Sequence, residues 1–329
     1  MVKNTPPNQC NKNKHKLQLS IMVQLEMLIR NIIARILLRL GKITKALKLI
    51  YFSNKLNSFA KKIDIIIYND YDFLQYVKDK SCGFTENSHN IETVALCSST
   101  ADYGFHPNYF PNSYNSGLIS SDLQFTYLHY KSIAKNNHLK NIIVFFSLFT
   151  VGYNLSKTKE RNRLIAYYES FNIQKPNEQK FKRRYSKHIA KRLNNINFSK
   201  LKNYCGYENR PLAAYGEEDV KNRIKTHTRE NKRTPDQLLW LEKLDQETMK
   251  NGHNLFIVLA PFRKDYKNGM PSFQEGYKKF FELKLNNSKI INFHNDESYT
   301  DDCFYDTDHL NEKGAIKLTK ELYSIMNEV

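Results

Sequence analysis

Two short segments, far apart in the chain, carry the residue types of a nucleophile, a general base and a group to orient that base. The first is Leu96-Cys97-Ser98-Ser99-Thr100 and the second is Tyr305-Asp306-Thr307-Asp308-His309-Leu310-Asn311. A serine hydroxyl attacks poorly until an imidazole takes its proton, and the imidazole performs best when a carboxylate fixes its tautomer. Asp306 stands three residues before His309. On a loop entering a helix, that offset lets the carboxylate bond one ring nitrogen while the other faces a serine. The first segment follows the apolar run Val94-Ala95-Leu96, so its serines fall where a strand ends and the backbone turns. The chemistry this implies is acyl transfer through a serine.

Residues so far apart need a scaffold that returns the chain to one edge. Beyond about residue 83 the sequence alternates strand and helix patterns. Strands are expected at 94–96, 142–146, 255–259 and 290–293, and helices at 121–134, 234–250, 273–284 and 312–327. Parallel strands joined this way give a three-layer α/β/α domain, with functional residues at the C-terminal ends of the strands.

These blocks resemble those of the SGNH (GDSL-type) hydrolase superfamily over roughly residues 90 to 329, and most of all its branch among bacterial surface-polysaccharide enzymes, which includes relatives of the teichoic-acid D-alanylation protein. The first family block, a strand followed by Gly-Ser-Ser or Gly-Asp-Ser, is similar to Leu96-Cys97-Ser98-Ser99, with Tyr103-Gly104 a few residues on. The resemblance puts the nucleophile at Ser99, with Cys97 in the family's glycine place. A thiol nucleophile at Cys97 is the other reading of this block. The last family block, Asp-x-x-His-Leu-Asn with a following glycine, is matched by Asp306, His309, Leu310, Asn311 and Gly314. The second block, Tyr114-Asn115-Ser116-Gly117, implies that the N–H of Gly117 joins that of Ser99 in an oxyanion hole, with Asn115 on the substrate. The third block departs from the family. After Ile142 to Phe146 the chain reads Ser147-Leu148-Phe149-Thr150-Val151-Gly152-Tyr153-Asn154, with no Asn at the family's offset. Asn154 is read as a substrate contact, and so are Arg263 and Lys264, which follow the strand at 255–259 and suit an anionic group.

What the resemblance implies is a serine-dependent ester hydrolase or O-acyltransferase acting on an acylated glycan in capsule or other surface-polysaccharide assembly. The alternative is a catalytically silent scaffold that binds glycan or a membrane-associated partner. No cofactor is expected. Asp301, Asp302, Asp306, Asp308 and His309 fit no calcium loop and bring no second histidine in a ligand pattern, so no metal is expected either. Asp308 and His106 are read as ordinary neighbours.

Composition bounds the rest. With 329 residues and 40% hydrophobic content the chain can bury a sizeable core. A net charge of +18 suits an anionic contact or, equally, lysine-rich solvated faces. Five cysteines without a Cys-x-x-Cys spacing fit a reducing compartment, and no apolar run reaches the length of a membrane span. A cytoplasmic location is the expectation, extending to the inner face of the membrane.

Residues 1–83 are expected to form a basic helical N-terminal segment, with 1–18 disordered and a boundary at Ser81-Cys82-Gly83. The hydrolase-like domain then spans 84–329. Between 21 and 50, apolar residues recur at helical spacing with Arg30, Arg35, Arg39 and Lys42 interleaved. Such a stripe packs on another part of the protein or lies on an anionic membrane. An insertion at about 157–230, rich in Lys, Arg, Tyr and Asn, is read as a helical cap rather than a nucleic-acid surface, since no nucleic-acid motif surrounds its Lys180-to-Tyr185 run.

Overall fold

In the computed structural model, the described residues are 71–328 apart from 137, 182, 201–202, 210–216, 232–236 and 271, together with scattered helical positions between 29 and 59. The chain forms two units, Met1–Phe73 and Leu74–Val329.

In the second unit, five parallel strands form one sheet: β1 (Thr93–Cys97), β2 (Ser113–Asn115), β3 (Asn141–Phe146), β4 (Asn254–Leu259) and β5 (Ser288–Asn292), in the order β2-β1-β3-β4-β5. The helices are α1 (Tyr71–Asn87), α2 (Ser99–Gly104), α3 (Leu123–Ile133), α4 (Arg163–Ser170), α5 (Arg183–Asn194), α6 (Glu217–Asn231), α7 (Leu238–Lys250), α8 (Lys264–Gly269), α9 (Ser272–Phe281) and α10 (Glu312–Asn327). This is the expected α/β architecture.

Side-chain alternation along the strands builds a separate core on each face of the sheet. Val94, Leu96, Ile142, Val144, Phe146 and Ile257 point to one side, where they meet Leu123 of α3, Leu241 of α7 and Phe280 of α9. Ala95, Ile143, Phe145, Phe256 and Val258 point to the other and meet Ala101 of α2 and Leu318 of α10. Burial on both faces explains why β3 and β4 read as continuous apolar runs rather than alternating ones.

One sequence expectation needs correction, and one strand has no signal in the sequence. The boundary does not fall at Ser81-Cys82-Gly83, because α1 runs through that triplet to Asn87 and belongs to the second unit from Leu74 onward. Gly83 serves close packing instead of a turn. A Cβ there would lie 2.7 Å from both the Tyr114 hydroxyl and a ring carbon of Tyr204. The edge strand β2 lacks that signal because its three residues, Ser-Tyr-Asn, carry no apolar pattern. Its outer side is covered, as the Asn115 N–H donates to the Cys205 carbonyl at 2.9 Å.

Helices of the insertion contact different parts of the domain. Tyr167 of α4 packs beside Phe125 of α3, with ring centroids 5.2 Å apart, and its hydroxyl donates to the Ile119 carbonyl. In contrast, α6 reaches the loop that carries His309. In the first unit, positions 29, 32, 33, 36, 37, 39, 40 and 43 are helical, with Ile29, Ile32, Ile33, Ile36, Leu40 and Ile43 exposed. Disorder at 1–18 lies outside the described residues, as does most of the stripe read between 21 and 50. No described helix is long and apolar enough to cross a membrane.

Candidate active site

Strand β1 ends at Cys97, whose φ of 100° puts a non-glycine residue in the left-handed region. Such a conformation persists only where the surroundings enforce it. Here the Cys97 carbonyl accepts from the Leu118 N–H at 2.9 Å and the Ser121 hydroxyl at 2.7 Å. The sharp turn makes Ser98 the N-cap of α2 and Ser99 its first residue. A thiol nucleophile at Cys97 is disfavoured on chemistry, because burial pushes that thiol up to about 11, away from the reactive thiolate.

Ser99, His309 and Asp306 come together. The Ser99 hydroxyl lies 2.8 Å from His309 Nε2, and His309 Nδ1 lies 2.9 Å from Asp306 Oδ2. Asp306 also accepts from the backbone N–H groups of Asp308 at 3.0 Å and His309 at 2.9 Å, so the carboxylate is held by its own loop. Tyr103, one helical turn beyond Ser99, packs its ring edge-on to the imidazole with centroids 4.9 Å apart. Asn311 caps α10 through Gly314 N–H at 3.0 Å, which fixes where the loop ends.

The electrostatics favour a charged imidazole. Burial works against the His309 cation, but Asp308 and Asp306 outweigh it and raise the group above its ordinary value. Burial likewise pushes Asp306 up, and His309 overcomes it to leave that carboxylate lowered. Atoms of Asp306, Asp308 and His309 all lie within 4.8 Å of one another, a spacing that would suit a metal. The hydrogen bonds just described already engage Asp306 and the imidazole, while Asp308 is held by an arginine. Asp301 and Asp302 lie apart, paired with Arg263 and Lys313.

The nucleophile helix rests on a buried polar foundation. Lys80 of α1 and Asp102 of α2 form an ion pair at 2.6 Å with neither side chain exposed, and the Tyr76 hydroxyl donates to Asp102 at 3.0 Å. Lys80 also donates to the Asn115 carbonyl at 3.1 Å. The Asn115 amide in turn donates to the carbonyls of Ala101, Asp102 and Phe105 at 2.8, 3.0 and 2.7 Å. These groups close the C-terminal end of α2.

That arrangement corrects two expected roles. Asn115 is fully buried and its amide is spent on α2, so it is a brace and not a substrate contact. The Gly117 N–H donates to Asn115 Oδ1 at 3.0 Å, which takes it out of the oxyanion hole. Gly117 is needed for close approach instead, since a Cβ would lie 2.5 Å from the Asp102 nitrogen. The N–H of Ser99 remains, placed in a first helical turn where no preceding carbonyl can accept it.

The other expected substrate contacts are also committed or peripheral. Asn154 is buried and caps a short helical turn, its Oδ1 accepting from the Ser156 N–H at 2.9 Å and hydroxyl at 2.5 Å. Arg263 is held by Asp265 at 2.8 Å and lies 3.5 Å from Asp301. Lys264 is exposed at the start of α8. His106, read as an ordinary surface residue, is buried and stacked on Tyr207.

Three features of the site escape the sequence reading. The Thr100 hydroxyl lies 3.0 Å from that of Ser98 and 3.4 Å from that of Ser147, a cluster formed because the register sets Cys97 level with Phe145. Asp308 is not a solvated neighbour. It is buried, and Arg223 of α6 grips both its oxygens at 2.8 Å. His227, one turn further along α6, is bonded through Nδ1 to the Tyr266 hydroxyl, and burial pushes it down to about 3. The only signal for Arg223 was its place in a basic insertion.

No protein-family model matches the chain, and no curated protein matches it.

Proposed function

We propose that the protein is a serine-dependent ester hydrolase or O-acyltransferase of SGNH type, acting on an acylated glycan in surface-polysaccharide assembly. The observation that carries this reading is the continuous hydrogen-bonded chain from Ser99 through His309 to Asp306, with steps of 2.8 and 2.9 Å.

In this mechanism the Ser99 oxygen attacks the acyl carbon as His309 Nε2 takes the hydroxyl proton, and Asp306 stabilises the imidazolium. The developing oxyanion draws on the Ser99 N–H. Collapse expels the alcohol, which receives the proton from Nε2, and leaves an acyl-serine. Water resolves it in a hydrolase. A sugar hydroxyl resolves it in a transferase, giving up its proton to the same nitrogen. The proposed setting is the cytoplasm, and the net charge of +18 suits work near anionic surfaces.

Covalent labelling by a fluorophosphonate tests the reading. Wild-type protein should label once, and Ser99→Ala should not label. Full labelling of Ser99→Ala would sink the assignment. One observation favours a silent scaffold that binds glycan or a membrane-associated partner: the Gly117 N–H is committed to Asn115. That reading requires wild-type protein that neither labels nor turns over a short-chain aryl ester.

A further inference from the structure

The His309 ring sits between two carboxylates, and only one of them is in a position to help catalysis. Asp306 lies on the Nδ1 side at 2.9 Å. Asp308 lies on the Nε2 side, its Oδ2 3.7 Å from the nitrogen that must exchange a proton with Ser99. A carboxylate there competes with the serine: a small rotation would let it accept from a protonated Nε2 and stabilise the imidazolium in an unproductive pairing. The distance leaves it just short of that bond.

What holds it short is Arg223. Its Nε and one terminal nitrogen each donate to a different Asp308 oxygen at 2.8 Å, the fork that fixes a carboxylate in its own plane. Thr307 adds a hydroxyl donor to Oδ1 at 2.9 Å. Arg223 comes from the insertion, 85 residues before its partner in sequence. We propose that Arg223 is a positioning residue, which clamps Asp308 away from His309 Nε2 and so reserves that nitrogen for Ser99. The inserted helix α6 is then part of the machinery and not merely a cover over it. This inference rests on the reading of Ser99 and His309 as the reacting pair.

Asp306 and Asp308 from its own loop and Ser99 and Tyr103 from α2 face the imidazole, and Arg223 and His227 of α6 lie within electrostatic reach, with His227 bonded to Tyr266 of α8. His227 is neutral at working pH, since burial pushes it down to about 3. Arg223 is therefore the cation in this set that offsets the two carboxylates, and it acts to lower His309 against their pull.

The experiment is an NMR titration of the His309 ring nitrogens in the full chain, run on wild type, Arg223→Gln, Asp308→Asn and the double variant. Arg223→Gln should move the His309 titration to higher pH, Asp308→Asn should move it to lower pH, and the double variant should follow Asp308→Asn. Fluorophosphonate labelling at about pH 6 should slow about tenfold in Arg223→Gln and return towards wild type in the double variant. A merely structural role predicts the opposite for the last case, because the double variant lacks the same clamp. An unmoved titration in Arg223→Gln, or a double variant as slow as the single one, would overturn the proposal. If Arg223→Gln fails to fold, Asp308→Asn and the double variant decide alone: His309 titrating as in wild type in both would refute the clamp. Wild type that does not label would refute the serine reading, while the titrations would still judge Arg223.

Discussion

Two ion pairs brace the two halves of the candidate site, and they keep their charge in different places. Lys80 and Asp102 meet at 2.6 Å beneath the nucleophile helix with neither side chain exposed. Arg223 and Asp308 meet at 2.8 Å beside the histidine loop, where the Asp308 side chain is 3% exposed and that of Arg223 is 37% exposed. Both pairs join a segment bearing the reacting residues to a segment outside the motifs of Ser99 and His309. The enclosed pair has no water to screen it, so its work is to fix α2 in place. The open pair retains solvent on one side, so its work is local, at a single ring nitrogen. The buried pair should therefore govern stability and the open pair should govern pH response.

The two braces serve catalysis only if the residues they hold carry the chemistry, and the largest expected effects test that. Ser99→Ala should lose acyl-enzyme formation outright. Asp306→Asn should keep the fold and lower turnover about 10⁴-fold, the effect of losing the productive tautomer. Asp302→Asn, whose carboxylate pairs with Lys313 on the surface, should cost about tenfold or less, and so should Asp308→Asn. Steady-state rates on an aryl ester measure all of them. Equal damage from Asp308→Asn and Asp306→Asn would mean that Asp308 acts on the substrate or the base directly.

The next effect separates the two pairs by stability. Lys80→Met leaves Asp102 buried without its cation and should cost about 3–5 kcal/mol, read as a lower urea midpoint. Burial already pushes Asp102 above its ordinary value even with Lys80 beside it, so the charged pair carries a real desolvation burden. Lys80→Met/Asp102→Leu should accordingly recover most of the loss. If Lys80→Met were as stable as wild type, the foundation would lie elsewhere. Arg223→Gln, with its solvent-facing side chain, should be the milder of the two in the same assay.

The pH response gives a smaller and directional effect. His309 must be neutral to accept the serine proton, and its carboxylate neighbours raise it above an ordinary imidazole's value of about 6.5. Activity should therefore fall as pH drops, with the midpoint of that limb on the alkaline side of 6.5. A limb below the ordinary value would show that burial dominates and that the two carboxylates are weaker neighbours than their distances imply.

The parts of this site that were legible in sequence are those encoded locally. Ser99 follows an apolar strand, and Asp306 and His309 share one loop at a fixed offset, so short-range pattern sufficed for all three. The parallel sheet was legible for the same reason, because strands buried on both faces read as apolar runs. The bracing groups were not legible. Lys80 lies on a helix among polar residues, and nothing local distinguishes a buried lysine from a solvated one. The motif of Gly117 and Asn115 implies a substrate-side role because residue types alone do not reveal where the Asn115 amide points. It points back into α2, and that orientation is set by packing between α1, α2 and β2. Arg223 and Asp308 are joined only by the fold.

The smallest expected effect concerns the turn that both braces support. Cys97 holds φ at 100° while its side chain is buried in the core, so backbone strain and side-chain packing oppose each other at one residue. Substitution by glycine removes both the strain and the packing, whereas substitution by alanine removes the thiol and keeps a Cβ at positive φ. The difference between the two isolates the backbone. Cys97→Gly should be more stable than Cys97→Ala by about 1 kcal/mol, because only glycine adopts this conformation freely. Both variants keep Ser99, so both should retain fluorophosphonate labelling. Denaturant unfolding of the two variants measures the gap. If alanine were as stable as glycine, the turn would be unstrained, and the bonds from Leu118 and Ser121 to the Cys97 carbonyl would be incidental to holding the nucleophile. If the gap appears, those bonds pin the peptide that aims Ser99 at His309, and the foundation under α2 extends to the last residue of β1.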